Sequence, residues 1–231
     1  MNLKTVAFYL PQYHPVPEND TWWGKGFTEW TNVTKCTPRF PGHYQPHLPA
    51  DLGFYDLRLP EARCAQAELA REYGIGGFCY YHYWFNGKRI LERPFNDILQ
   101  SREPNFPFCL CWANENWTRR WDGGNSEVLL SQAHSAEDDL AHIRSLLPAF
   151  EDPRYLRSKD RPVFLVYRTS ALPNPEHTAE IWRAEARKHG LGELWLGVVQ
   201  SFYTEKGEPS AFGFDFAVEF APDWDLLGNP I

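Results

Sequence analysis

Six near-continuous apolar runs, spaced apart by helix-like stretches, constrain this chain more than any other feature. They read "TVAFYL" (5–10), "IGGFCYYHYWF" (75–85), "PFCLCWA" (107–113), "RPVFLVYR" (161–168), "LWLGVVQ" (194–200) and "FDFAVEF" (214–220). Strands apolar on both faces belong to a parallel sheet covered by helices. The intervening segments carry helix signals. In "PEARCAQAELAREYG", Pro60 opens the first turn, Ala62, Ala65, Leu69 and Tyr73 recur at helical spacing, and Gly74 closes. "ERPFNDILQ" is a short helical candidate. Ser135 and Asp138 have capping-box spacing ahead of Leu140, Ile143, Leu147 and Phe150. Asn174 stands as N-cap before Pro175, and Gly190 ends that helix.

Two architectures fit this alternation. A doubly wound sheet binds its nucleotide through a glycine-rich first turn, but strand one runs into "PQYHP" with neither a GxGxxG nor a Walker pattern. A barrel places its chemistry at the C-terminal ends of many strands. Here those ends read "YLPQYH", "YYHYW", "CWANENW", "VYR", "VVQSF" and "VEFAPDWD", polar and aromatic at nearly every exit. The expected fold class is therefore α/β of the (β/α)8 TIM-barrel type, with about six βα units present, a partial or open barrel. Residues 1–231 are expected to form one barrel-type domain, incomplete at its C-terminal end. Residues 11–59 are expected to be a long loop inserted after strand one, and loops of that length are usually functional.

The formal charge is -7, with no Lys/Arg cluster to contact phosphates, which argues against nucleic acid. Aromatics reach 16%, including 10 Trp. Flat rings pack on the C–H faces of a pyranose while acids, amides and imidazoles meet its hydroxyls; a Trp-rich core is the plainer account. Five cysteines, Cys36, Cys64, Cys79, Cys109 and Cys111, form an odd set without CxxC spacing and read as reduced thiols, with Cys109 and Cys111, two apart on a strand, as buried small hydrophobes rather than metal ligands. No metal site and no cofactor is expected: His14, His43, His47 and His82 lack ligand spacing. No run approaches the roughly 20 apolar residues of a membrane span. No leader precedes the first strand, so a cytoplasmic location is expected.

The words "AFYLPQYHPVPENDTWWGKGFTEWTNVTK", "GHYQPHLPADLGFYDLR", "GIGGFCYYHYWFNGKRILERPF" and "FPFCLCWANENWTRRWDG" resemble the WbsX-type glycosyltransferase family, related to glycoside hydrolase family 99, the endo-α-mannosidase-like barrels. The resemblance runs from about Val6 to Phe220. It implies a barrel acting on glycosidic bonds in surface polysaccharide or lipopolysaccharide metabolism, with an oligosaccharide or polysaccharide as partner. It also implies a Trp-Asn-Glu-Trp-x-Glu-Gly-like word after strand six, supplying carboxylates for a retaining reaction. This sequence has no such word.

Glycoside chemistry needs two carboxyl groups across the bond, one of them protonated near neutrality. Glu115, at the exit of strand three, and Glu219, at the exit of strand six, are the candidate catalytic pair, with Asp223 and Asp225 near the second. Trp112 and Trp117 could desolvate Glu115 and favour its acid form; an ion pair with Arg119 or Arg120 would do the opposite. On balance Glu115 reads first as a sugar-binding residue. The other substrate-binding candidates are Tyr9, Gln12 and His14 at strand one, Trp30 in the long loop, Tyr80, His82 and Trp84 at strand two, Trp112, Asn114 and Trp117 at strand three, and Gln200 at strand five. Glu29, Tyr44 and His47 either wall the cleft or fasten the loop.

A transferase would carry a sugar-nucleotide site, and "DWD" at 223–225 fits an Asp-x-Asp metal motif only loosely. Paired carboxylates suit a barrel better, so hydrolase-like retaining chemistry is the favoured reading. The alternative is a catalytically inert, truncated barrel that at most binds carbohydrate.

Overall fold

The computed structural model describes residues 4–119 and 124–221. Its strands and helices run, in chain order, β1 (Thr5–Tyr9), α1 (Pro17–Trp23), α2 (Glu29–Lys35), α3 (Pro60–Glu72), β2 (Ile75–Phe85), β3 (Lys88–Ile90), α4 (Arg93–Ser101), β4 (Phe108–Trp112), β5 (Trp117–Arg119), β6 (Gly124–Leu130), α5 (Ala136–Phe150), β7 (Arg157–Ser158), β8 (Arg161–Val166), α6 (Pro175–Lys188), β9 (Trp195–Gln200) and β10 (Phe216–Glu219). The six apolar runs become the strand path β1-β2-β4-β8-β9-β10. The ladders β1/β2, β4/β8, β8/β9 and β9/β10 are parallel. Helices separate β1, β2, β4, β8 and β9 along the chain, while β9 and β10 are joined through two short 3-10 turns, Tyr203–Glu205 and Pro209–Phe212.

The chain divides into two compact units, residues 1–80 with 91–106, and residues 81–90 with 107–231. In the first, Tyr9 packs on Phe78 and Tyr80, with ring centroids 5.0 and 4.4 Å away, and Tyr80 packs on Phe95 of α4. Pro60 starts α3 and Gly74, at φ 77°, ends it in a conformation that glycine adopts without strain. The segment 11–59 is not structureless. Pro17 opens α1, and α2 is held by a reciprocal capping box between Thr28 and Thr31. Each helix is seven residues long, too short to impose a helical period on the sequence.

In the second unit, α5 and α6 cover one face of β4, β8 and β9. Phe164, Trp112 and Trp182 are fully buried there, and Trp182 donates from Nε1 to the Asp139 carbonyl of α5 at 3.1 Å. The N-caps match the spacing of the sequence: Ser135 Oγ accepts the Asp138 N–H at 3.1 Å and Asn174 Oδ1 accepts that of His177 at 3.0 Å. Gly197 pairs with Leu165 on one side and Phe216 on the other. A methyl at Gly197 would overlap the Leu165 side chain and lie 2.5 Å from Phe216 Cζ. Close packing between neighbouring strands therefore requires glycine at this position.

Candidate functional site

Strand alternation decides which side chains face where, because successive residues point to opposite sides of a sheet. On β2, Tyr80, His82 and Trp84 share the helix-facing side. His82 Nε2 lies 2.9 Å from His142 Nε2 of α5, and Trp84 Nε1 donates to both Asp138 carboxylate oxygens at 3.0 and 3.1 Å. Trp112 joins the same layer, its ring 4.5 Å from His142 and 5.9 Å from Trp182. Burial pushes the pKa of both His82 and His142 well below 6.5, so the pair is neutral. The structure thus places Tyr80, His82, Trp84 and Trp112 in the sheet–helix core, not at an open rim. The intervening residues Tyr81 and Tyr83 point the other way, toward Tyr167 and Trp117.

In the first unit, Tyr9 also lies on the helix-facing side, its hydroxyl donating to Gln66 Oε1 of α3 at 2.5 Å. Burial raises its pKa well above 10. Trp30 Nε1 donates to the Tyr55 carbonyl at 2.8 Å while its ring packs on Tyr13 and Phe54, which fastens the long loop to itself. Gln12 is half-buried and its carbonyl accepts the Glu29 N–H. His14 is buried. Burial lowers its pKa to about 4, against a smaller opposing pull from the Pro11 carbonyl beside it. Neither ring nitrogen reaches a partner with hydrogen-bond geometry among the described residues. Glu29 is buried as well, and burial raises its pKa despite a long hydrogen bond from Asn32.

The most developed polar constellation lies in the second unit, where the exits of β4 and β8 meet. Asn114 is buried, and its amide donates to the Arg168 carbonyl and accepts the Arg168 N–H, both at 2.8 Å. The next residue, Glu115, is half-exposed, and its Oε1 accepts from Arg168 Nη1 at 3.0 Å. Arg168 Nε donates to Glu205 Oε1 at 3.1 Å, and its guanidinium lies 4.2 Å from the Phe202 ring centroid. Glu205 is fully buried. Burial alone would raise its pKa, but hydrogen bonds from Ser170, Thr169 and Arg168 outweigh that and lower it. The partner of Glu115 is therefore Arg168. Arg119 instead pairs with Glu127 at 3.0 Å, and Arg120 lies outside the described residues.

Phe202, which lies against the Arg168 guanidinium, links this triad to a cluster of rings at neighbouring strand exits. Tyr167 sits between Tyr81, Phe220 and Phe202 at 6.1, 5.6 and 6.4 Å, and Trp117 packs on Tyr83 at 5.3 Å. Gln200 donates to the Gly207 carbonyl at 3.2 Å. Glu219 is exposed and, being adjacent to Phe220, alternates to the side away from Tyr167. Asp223 and Asp225 lie outside the described residues. Among the described residues, no group of three or more His, Cys, Asp or Glu converges to hold a metal, and no helix is long and apolar enough to cross a membrane. Sequence reasoning passed over Arg168, Glu205, Tyr167 and Tyr81. The available signals were the strand exit "VYR" and the period of two along β2.

The model of the family described as Glycosyltransferase WbsX matches residues 5–229. The chain belongs to that family. Two proteins called WxcX, uncharacterized, from Xanthomonas campestris pv. campestris strain B100 and a second strain, are each 57% identical to it over 218 residues, 94% of this chain and 31% of theirs. The chain thus spans about a third of the length of these relatives. Two structures of the GH99 endo-alpha-mannosidase from Bacteroides thetaiotaomicron align with TM-scores of 0.56 and 0.58 at 15% and 14% identity, the second in complex with bis-tris propane. They cover 92% and 94% of this chain and 60% and 58% of the solved chains. A glycoside hydrolase-like protein gives 0.55 at 13% identity, covering 94% of this chain and 58% of its own. These likenesses establish the fold as α/β of the barrel type in partial form, which the strand exits in the sequence had indicated.

Proposed function

We propose that this chain acts on glycosidic bonds of a surface polysaccharide or lipopolysaccharide, with the β4 and β8 exits forming part of the sugar site. The observation that carries this reading is the Glu115–Arg168 pair. A half-exposed carboxylate is oriented by a guanidinium that a buried carboxylate holds from behind, against the ring of Phe202, which in turn neighbours Tyr167. Sugar sites combine these elements, ring faces for C–H surfaces and fixed charged groups for hydroxyls. Membership of a glycosyltransferase family and the likeness to glycoside hydrolase folds support the same class of substrate.

Within this reading, hydrolase-like retaining chemistry uses Glu115 and Glu219 as its carboxylates. The test is incubation with mannose-containing and other oligosaccharides in the absence of any sugar nucleotide, followed by mass spectrometry of the products. Cleavage or transfer that Glu115→Gln abolishes supports it. Turnover that depends strictly on an added sugar nucleotide overturns the hydrolase-like chemistry.

One observation favours a second reading, a barrel that binds carbohydrate without chemistry of its own. Glu219 faces away from the Tyr167–Phe220 rings, and Glu205 is saturated by its hydrogen bonds. Saccharide binding without turnover under any donor condition supports this reading.

A further inference from the structure

The contact between Glu115 and Arg168 is single-pronged. Arg168 Nη1 meets Glu115 Oε1 at 3.0 Å, and among the described residues Glu115 Oε2 and Arg168 Nη2 make no hydrogen bond. Neither atom is sealed from solvent, since neither is among the buried polar atoms lacking a partner. The side chains are 39% and 24% exposed, respectively. An acceptor on Glu115 and a donor on Arg168 are therefore left over on two side chains joined at 3.0 Å, and the Arg168 side is held in place. Asn114 fixes the Arg168 backbone from both sides, Glu205 holds Nε, and Phe202 lies under the guanidinium plane.

We infer that Glu115 and Arg168 form a fork for two neighbouring hydroxyls of an uncharged sugar, one hydroxyl donating to Glu115 Oε2 and the next accepting from Arg168 Nη2. This inference rests on the carbohydrate reading above and narrows it to a substrate class. A hydroxyl both donates and accepts, so a vicinal diol satisfies both prongs together, and the forked, planar guanidinium fixes its orientation. The charge balance selects against acidic sugars. Glu205 and Glu115 bring two carboxylates to one guanidinium. A uronate or phosphate would have to displace Glu115 from Arg168 and then sit beside it, and such like-charge juxtaposition is costly. Tyr167, whose ring lies 6.4 Å from that of Phe202, is the nearest further ring to offer a surface to the apolar face of the pyranose.

Saturation-transfer NMR on the 231-residue chain tests this, using methyl pyranosides of mannose, glucose and galactose, their singly O-methylated forms, and the matching uronates. Thermal unfolding of each variant is run alongside. The expected result is binding of at least one neutral glycoside, weakened roughly tenfold by methylating one hydroxyl of its diol, by Glu115→Gln and by Arg168→Lys, with uronates at least as impaired. Glu115 is partly exposed, so the unfolding midpoint of Glu115→Gln should stay close to that of the parent, whereas Arg168→Lys also loses the Nε contact with buried Glu205, and its binding is read well below its own midpoint. Neutral binding indifferent to both substitutions, or uronates binding equally well, overturns the fork while leaving the carbohydrate reading standing. If none of the sugars binds, both fall.

Discussion

Asn114 closes a two-point clamp on Arg168: its Nδ2 donates to the Arg168 carbonyl and its Oδ1 accepts the Arg168 N–H, both at 2.8 Å. The clamp ties the exit of β4 to the exit of β8 just past their last register pair, Trp112 with Val166. No other side-chain type offers a donor and an acceptor on one planar group so close to the backbone. Asn114→Ala leaves both Arg168 backbone groups without this partner, and the expected cost is about 1–3 kcal/mol in urea unfolding. Asn114→Asp keeps the acceptor and loses the donor, so it should also destabilise. An Asp variant as stable as the parent would show that the carbonyl contact contributes nothing.

Glu205 anchors the other side of Arg168. Its carboxyl is fully buried and its pKa is lowered below the usual 4.5, because hydrogen bonds from Ser170, Thr169 and Arg168 overcome the penalty of burial. A carboxyl whose pKa is lower in the folded than in the unfolded chain stabilises the fold above the unfolded value, and that stability is lost as pH falls through the folded value. Glu205→Gln should therefore be less stable than the parent at pH 7, by about 3 kcal/mol. The gap should narrow below pH 4.5, as the parent carboxyl takes up its proton. Urea midpoints of both proteins between pH 7 and 3 measure this, and a gap independent of pH would mean that Glu205 is already protonated in the fold.

The six sheet strands were legible because each is an apolar run long enough to be buried on both faces, and their exits announced a barrel by being polar. Which residue of each exit faces the site was less legible. Along "CYYHYWF" the choice between Tyr81 and His82 is a shift of one residue, and only the contacts of His82 and Trp84 with α5 settle it. The partner of Glu115 was harder still. Arg119 lies four positions away, yet the pair forms with Arg168, 53 residues on. Glu205 lies another 37 residues beyond that, in a short 3-10 turn with no periodic signature. Such pairings depend on which strand exits become neighbours in space, and no local pattern records that.

Three buried histidines make the fold acid-sensitive. Burial holds His82 and His142 well below 6.5 and His14 at about 4, so all three are neutral when folded near pH 7. As pH falls below 6.5 the unfolded chain binds protons that the folded chain refuses, and stability drops progressively until the folded values are reached. For His14 the window runs from 6.5 to about 4 and is worth up to about 3 kcal/mol. His14→Phe should flatten the stability profile across that window. Unfolding midpoints at pH 7, 6, 5 and 4 read it directly, and parallel profiles for variant and parent would refute the assignment.

Trp112 and Trp117, five residues apart around the same strand exit, should behave in opposite ways. Trp112 is 1% exposed and packs against His142 and Trp182, so Trp112→Ala opens a cavity in the sheet–helix core. The expected loss is about 3–5 kcal/mol in urea unfolding. Trp117 is half-exposed and touches Tyr83 and Phe85 with its edge. Trp117→Ala should cost far less stability. If its ring serves a sugar, the same substitution should weaken binding of the methyl pyranosides in saturation-transfer NMR, whereas Trp112→Phe, which keeps an apolar ring in the core at a smaller cost in stability, should leave that binding unchanged. The reverse pattern, with sugar binding lost in Trp112→Phe and kept in Trp117→Ala, would move the ring that contacts sugar from the open side of the exit to its buried side.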